Sequence, residues 1–119
     1  RRVLFRSANK AGIEFYYLIA REGDTFKALG KEVEISWRKL ARYNERDKHT
    51  VLHKGDIIYL KKKRKKAPKQ YKKRPHIVQP GESMYSISQR YGIRIKYLYK
   101  MNKLDPSYQV KVGDRLRVR

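Results

Sequence analysis

A chain of 119 residues with 32 Lys and Arg against 11 Asp and Glu, a net charge of +21 and no cysteine can form one ordinary domain or two very small ones. The missing cysteines exclude disulfide staples, thiol nucleophiles and thiolate metal sites, and three scattered histidines make no zinc cage, so no cofactor or metal is expected. No apolar run is long enough to cross a bilayer, the amino end does not read as a signal peptide, and the leading Arg1 in place of methionine makes a piece of a longer protein the expectation, so the missing signal says nothing of where the parent works.

At the amino end, residues 1–17 read as a hairpin extension. Arg2 to Arg6 and Ile13 to Ala20 are two strand-like runs that can pair across a turn built from Asn9, Lys10, Ala11 and Gly12. Tyr16 to Ala20 then leads into the turn Gly23-Asp24-Thr25. Phe26, Leu29 and Val33 follow at helical spacing, with Asp24 or Thr25 supplying the capping oxygen. Gly30 within this helix gives up about 1 kcal/mol of helix propensity relative to alanine. Trp37, Leu40, Ala41 and Tyr43 form the apolar face of a second helix, which Asn44 interrupts by bonding backbone or turning left-handed. Gly55-Asp56 makes a turn before the strand-like IIYL, closing a first domain over residues 18–60.

Residues 61–74, KKKRKKAPKQYKKR, hold ten Lys or Arg and no acid. Like-charge repulsion and Pro68 and Pro75 predict an extended, solvated basic linker over 61–75. Beyond it, residues 76–119 repeat the first domain: strand-like His76 to Val78, then a helix with Met84, Ile87 and Tyr91 on one face. Glu82 or Ser83 caps that helix and Gly92 ends it. Ile95, Leu98, Tyr99 and Met101 carry a second helix, Asn102 interrupts it, and RLRV closes the domain after Gly113-Asp114.

A shift of 58 residues aligns Gly23–Leu60 with Gly81–Val118 without a gap. The seven identities are Gly23/Gly81, Ile35/Ile93, Leu40/Leu98, Asn44/Asn102, Asp47/Asp105, Gly55/Gly113 and Asp56/Asp114. Identity limited to turn residues and spaced apolar positions is what two copies of one small α+β fold require.

These features, Gly23-Asp24-Thr25-Phe26 and Gly81-Glu82-Ser83-Met84, Leu40 with Asn44, Leu98 with Asn102, and the Gly-Asp pair before each last strand, resemble the lysin motif (LysM) family of beta-alpha-alpha-beta glycan-binding modules. The resemblance implies non-catalytic binding of polymers containing N-acetylglucosamine, chiefly peptidoglycan, outside the cytoplasm in the envelope, periplasm or medium. It implies a shallow groove between the loop entering the first helix and the loop leaving the second. Carried over, one wall in the first copy is Gly23, Asp24, Thr25 and Phe26, and the other is Asn44, Glu45, Arg46 and Asp47. In the second copy Gly81, Glu82, Ser83 and Met84 face Asn102, Lys103, Leu104 and Asp105. Such modules accompany cell-wall hydrolases, so the resemblance also implies an upstream catalytic domain in a larger parent protein.

Leu104 and Tyr108 make the second copy the expected stronger sugar binder. No pair of carboxylates or activated nucleophile is recognisable in so small a fold, which argues against catalysis by the chain itself. Two other functions compete with glycan binding. Residues 61–74 can bind a polyanion or nucleic acid, although Tyr71 is their one aromatic. The tandem can also act as a spacer or adhesion element, with Trp37, Tyr85, Tyr97 and Tyr99 as packing surface.

Overall fold

A computed structural model describes residues 2–8 and 14–119 of the chain. It divides into two units, one through Lys63 and one from Arg64 onward.

In the first unit, strand β1 (Phe5–Ala8) pairs antiparallel with β2 (Glu14–Ile19), which pairs with β3 (Ile57–Tyr59). The register sets Phe5 and Tyr59 on either side of Tyr17, and Leu18 opposite Ile58. Phe5 stacks on Tyr17 at 5.4 Å between ring centroids. The hairpin extension is thus observed, with its first strand starting later than the Arg2 expected; the expected turn at Asn9 to Gly12 lies outside the described residues.

Helices α1 (Phe26–Val33) and α2 (Trp37–Tyr43) cover the sheet. Thr25, rather than Asp24, caps α1: its hydroxyl accepts from the Ala28 amide. The helix ends at Glu34, whose φ of 58° is the left-handed turn that glycine adopts more readily. Leu18, Phe26, Leu29, Leu40, Leu52 and Ile58 form the buried core. Gly30 does more than weaken a helix. A Cβ placed on it would lie 2.6 Å from the Ile35 carbonyl oxygen and 3.1 Å from the Trp37 Cβ, so only glycine lets the turn between the helices close.

The second unit repeats this plan with strands β4 (His76–Ile77) and β5 (Arg115–Leu116) and helices α3 (Met84–Tyr91) and α4 (Ile95–Met101). Ser83 caps α3 in a reciprocal capping box with Ser86, and Gly92 ends it with φ 68°. Val78, Met84, Ile87, Leu98, Leu116 and Val118 fill its core. Phe26, Leu29, Leu40 and Ile58 of the first unit thus have Met84, Ile87, Leu98 and Leu116 as their counterparts 58 residues on.

The extended, solvated connector is not what the structure shows. Arg64 bridges to Ile93, Ala67 is fully buried and donates its amide to the Val118 carbonyl at 2.7 Å, and residues Lys69–Tyr71 form a turn of 3-10 helix. Tyr71 meets the Tyr91 ring edge-on at 5.1 Å. Ala67, Pro68 and Tyr71 supply apolar contacts that outweigh repulsion among lysines, which point to solvent and keep their hydration. Lys63 is the exception: its side chain is fully buried and pairs with Glu45 at 2.5 Å. Burial pushes its ammonium below the ordinary lysine range, and Glu45 opposes that shift.

Candidate functional site

A groove of 880 Å³ opens in the first unit between two loops. One wall is the turn entering α1, Glu22 to Thr25, with Lys27 beyond it. The other is the irregular segment Lys48 to Lys54 between α2 and β3, and Trp37 at the start of α2 lies between them.

Each wall is held from behind. Gly23 takes φ 86°, and the Asp24 carboxylate accepts from the Arg21 amide at 2.7 Å, which closes the turn. Arg2 braces the same carboxylate at 3.0 Å and also binds Glu32 at 2.6 Å; the Glu32 contact raises the guanidinium's proton affinity and holds the Glu32 carboxyl low. On the opposite wall Asp47 accepts from the His49 amide and Asp56 from the His53 amide, both at 2.8 Å. The His49 ring packs edge-on against Trp37 at 5.4 Å, and the Lys48 ammonium sits 5.5 Å from the centre of the same indole. Leu52 is buried, whereas Val51 is 74% exposed at the rim.

Of the residues proposed from sequence, Gly23, Asp24 and Thr25 line this groove and Phe26 does not; its ring is fully buried in the core beneath. Asn44 is also fully buried. Its side-chain amide donates to the Leu40 and Tyr59 carbonyls, both at 2.9 Å, and its oxygen accepts from the Tyr59 amide at 2.7 Å, fastening β3 to α2. The left-handed residue is its neighbour Glu45, at φ 55°, which pairs with Lys63. Arg46 is exposed and Asp47 is spent on its own turn, so the groove's second wall begins where the expected one ends.

The second unit follows the same pattern. Asn102 donates to the Leu98 and Arg117 carbonyls and accepts from the Arg117 amide at 2.7 Å, with Lys103 left-handed at φ 53°. Leu104 packs against the core, Met84 is buried, and Asp105 is held low by the Ser107 hydroxyl and amide. Gly81 takes φ 83°, while Ser83 is the helix cap already described. Glu82 binds His76 at 2.8 Å and the Gln79 amide at 2.6 Å; burial pushes its carboxyl up, but these contacts outweigh it and hold it low. Tyr108 donates its hydroxyl to Asp114 at 2.6 Å, which raises the phenol's affinity for its proton and depresses the carboxyl.

The site residues expected from the sequence end at Asp47, so Lys48 to Lys54 are not among them, and Trp37 is given there to packing. Their signal was the non-periodic stretch between Asp47 and Gly55, where Val51 and Leu52 have no helical partner. Among the described residues no cluster of three His, Asp or Glu side chains could hold a metal ion, and no helix is long and apolar enough to cross a membrane.

Residues 19–61 and 76–119 each match the family described as LysM domain. Among solved structures, the chain is similar to the Bacillus cereus spore cortex-lytic enzyme SleL, with 25% identity and a TM-score of 0.37 over 88% of this chain and 22% of that one. It is also similar to SleL of Bacillus megaterium QM B1551, with 16% identity and a TM-score of 0.35 over 86% of this chain and 22% of that one. The chain thus spans about a fifth of the length of either enzyme. No curated protein matches the chain.

Proposed function

The chain belongs to the LysM domain family, whose members are non-catalytic modules that bind N-acetylglucosamine-containing glycans such as peptidoglycan and generally work outside the cytoplasm, and from that premise we propose that its first unit is the principal glycan site. The observation that carries this reading is the groove between Glu22–Thr25 and Lys48–Lys54. Its chemistry suits the ligand. An N-acetyl sugar offers an amide and hydroxyls to turn backbone and short polar side chains such as Thr25 and Thr50, and a weakly apolar ring face to Val51 and Trp37. Lys27, Lys48 and Lys54 at the rim suit the carboxylates of peptidoglycan stem peptides.

In the second unit Leu104 serves the core and the Tyr108 hydroxyl serves Asp114, so the features that favoured it in the sequence are engaged internally. This unit is the auxiliary site. The pair tethers a larger parent protein to the wall, raising the local concentration of whatever activity that parent carries.

The test is an NMR titration of the whole chain with neutral N-acetylglucosamine oligomers at high salt. The expected result is amide shifts concentrated at Glu22 to Thr25 and Lys48 to His53. Shifts concentrated in the second unit, or none at all, would overturn the assignment.

A further inference from the structure

A second concavity, of 760 Å³, is lined wholly by residues of the second unit. Lys66, Lys69, Lys72, Lys73 and Arg74 line it from the connector, and Arg117 and Arg119 line it from the chain beyond β4's partner strand, β5. Tyr71, Pro75 and Val118 complete it, and no Asp or Glu is among its lining residues.

The backbone carrying these charges is fixed. The buried Ala67 donates to Val118, the Arg119 guanidinium donates back to the Ala67 carbonyl at 2.8 Å, and Tyr71 is seated on Tyr91. Lys73 is held in the left-handed region at φ 60°. Seven like charges gathered on an ordered frame repel one another, and a bound polyanion relieves that repulsion without first having to order the chain. Three guanidiniums can grip phosphate oxygens in bidentate fashion, while the lysines act as point charges. The volume suits a chain of groups rather than one ion. Tyr71 is the single aromatic in the lining, whereas stacking of successive bases needs a series of aromatic platforms.

We propose that this cradle binds a linear phosphate polymer through its charged backbone alone, at a site separate from the glycan groove. The cradle is composite: it needs Arg117 from the end of the fold as much as the lysines of the connector. It excludes Lys61 and Lys62, which belong to the same basic run in sequence.

The experiment titrates the whole chain with inorganic polyphosphate over a range of salt concentrations. Binding should weaken with salt by a log–log slope of about −0.7 for each phosphate neutralised. Lys72→Gln with Arg117→Gln should lower affinity and flatten that slope by about 0.7 per residue removed. Lys61→Gln with Lys62→Gln, the same loss of charge, should leave both unchanged. All four side chains are exposed, so the fold is retained, and unaltered binding of neutral N-acetylglucosamine oligomers keeps this result distinct from the glycan reading. Equal losses from the two pairs would overturn the cradle in favour of an unstructured basic run. Tighter binding of oligothymidylate than of polyphosphate with the same number of phosphates would overturn the backbone-only reading and assign the site to nucleic acid. No binding of polyphosphate at low salt would overturn the site itself.

Discussion

The two units share helices, turns and an asparagine that fastens the last strand to the second helix, yet each completes its module differently. The first adds β1 beside β2 and ties Arg2 to Asp24 and Glu32, leaving the loop after α2 to be held by Trp37 and His49. The second takes its extra segment from the connector, on the side of Val118, and braces the equivalent loop with Tyr108 and Asp114. One βααβ plan thus serves two surfaces: an open groove in the first unit and a basic cradle in the second. The groove is lined mostly by positions inside the repeat whose residues differ between the copies, Lys48 to Lys54 above all, and the cradle mostly by connector residues outside it.

The largest test of that contrast is the asparagine. Asn44→Ala leaves the Tyr59 amide and two carbonyls without their partner in a buried place and should cost about 3 kcal/mol. Asn102→Ala, at the partly exposed C-terminal end of α4 where water can substitute, should cost about 1 kcal/mol. Denaturant unfolding of the two variants gives both values; equal losses would show that the buried position confers no advantage.

Next is the helix junction. Gly30→Ala should destabilise the first unit by about 2 kcal/mol through the clash with Ile35, reversing the gain that helix propensity alone predicts. Ser88→Ala at the equivalent place, where the hydroxyl donates to the Tyr85 carbonyl of its own helix, should change stability by less than Gly30→Ala does. A Gly30→Ala variant with a raised melting temperature would contradict the close approach.

The Glu45–Lys63 pair joins the first unit's second helix to the connector. Glu45→Ala leaves an ammonium buried and should cost about 2 kcal/mol, less than a fully buried pair because Glu45 is partly exposed. Combining it with Lys63→Met should recover most of the loss, as read by thermal melts.

The smallest effect is with pH. The Glu82 carboxyl is held below its ordinary range in the folded second unit, so the stability it contributes is present at neutral pH and lost as pH falls through that depressed value. Glu82→Gln should flatten the acid limb of the melting curve. An unchanged limb would show that its contacts to His76 and Gln79 contribute little.

Much of this was legible because the repeat exposes which positions the fold requires. Phe26/Met84, Leu29/Ile87 and Leu40/Leu98 declare the core through helical spacing, and the capping hydroxyls declare both helix starts. On the site the repetition says less: Asn44 and Asn102 both fasten the last strand to the second helix, a structural role that is enough to account for their recurrence. The Lys48 to Lys54 wall shares only the apolar pair Leu52/Val110 with its counterpart, so the alignment singled out no polar site residue there. The connector's lysines hid Ala67 and Tyr71, because net charge describes the exposed side of a segment and says nothing of its few anchoring residues.

The most direct measurement of where glycan binds places the same charge in both loops. Val51→Glu in the first unit and Gln109→Glu at the equivalent position of the second both fall on exposed residues, so neither threatens the fold. Calorimetry of the whole chain with a neutral N-acetylglucosamine oligomer should show affinity falling by about tenfold, or roughly 1.4 kcal/mol, for Val51→Glu and staying within about twofold for Gln109→Glu. The reverse ranking would contradict the assignment and return the principal site to the second unit.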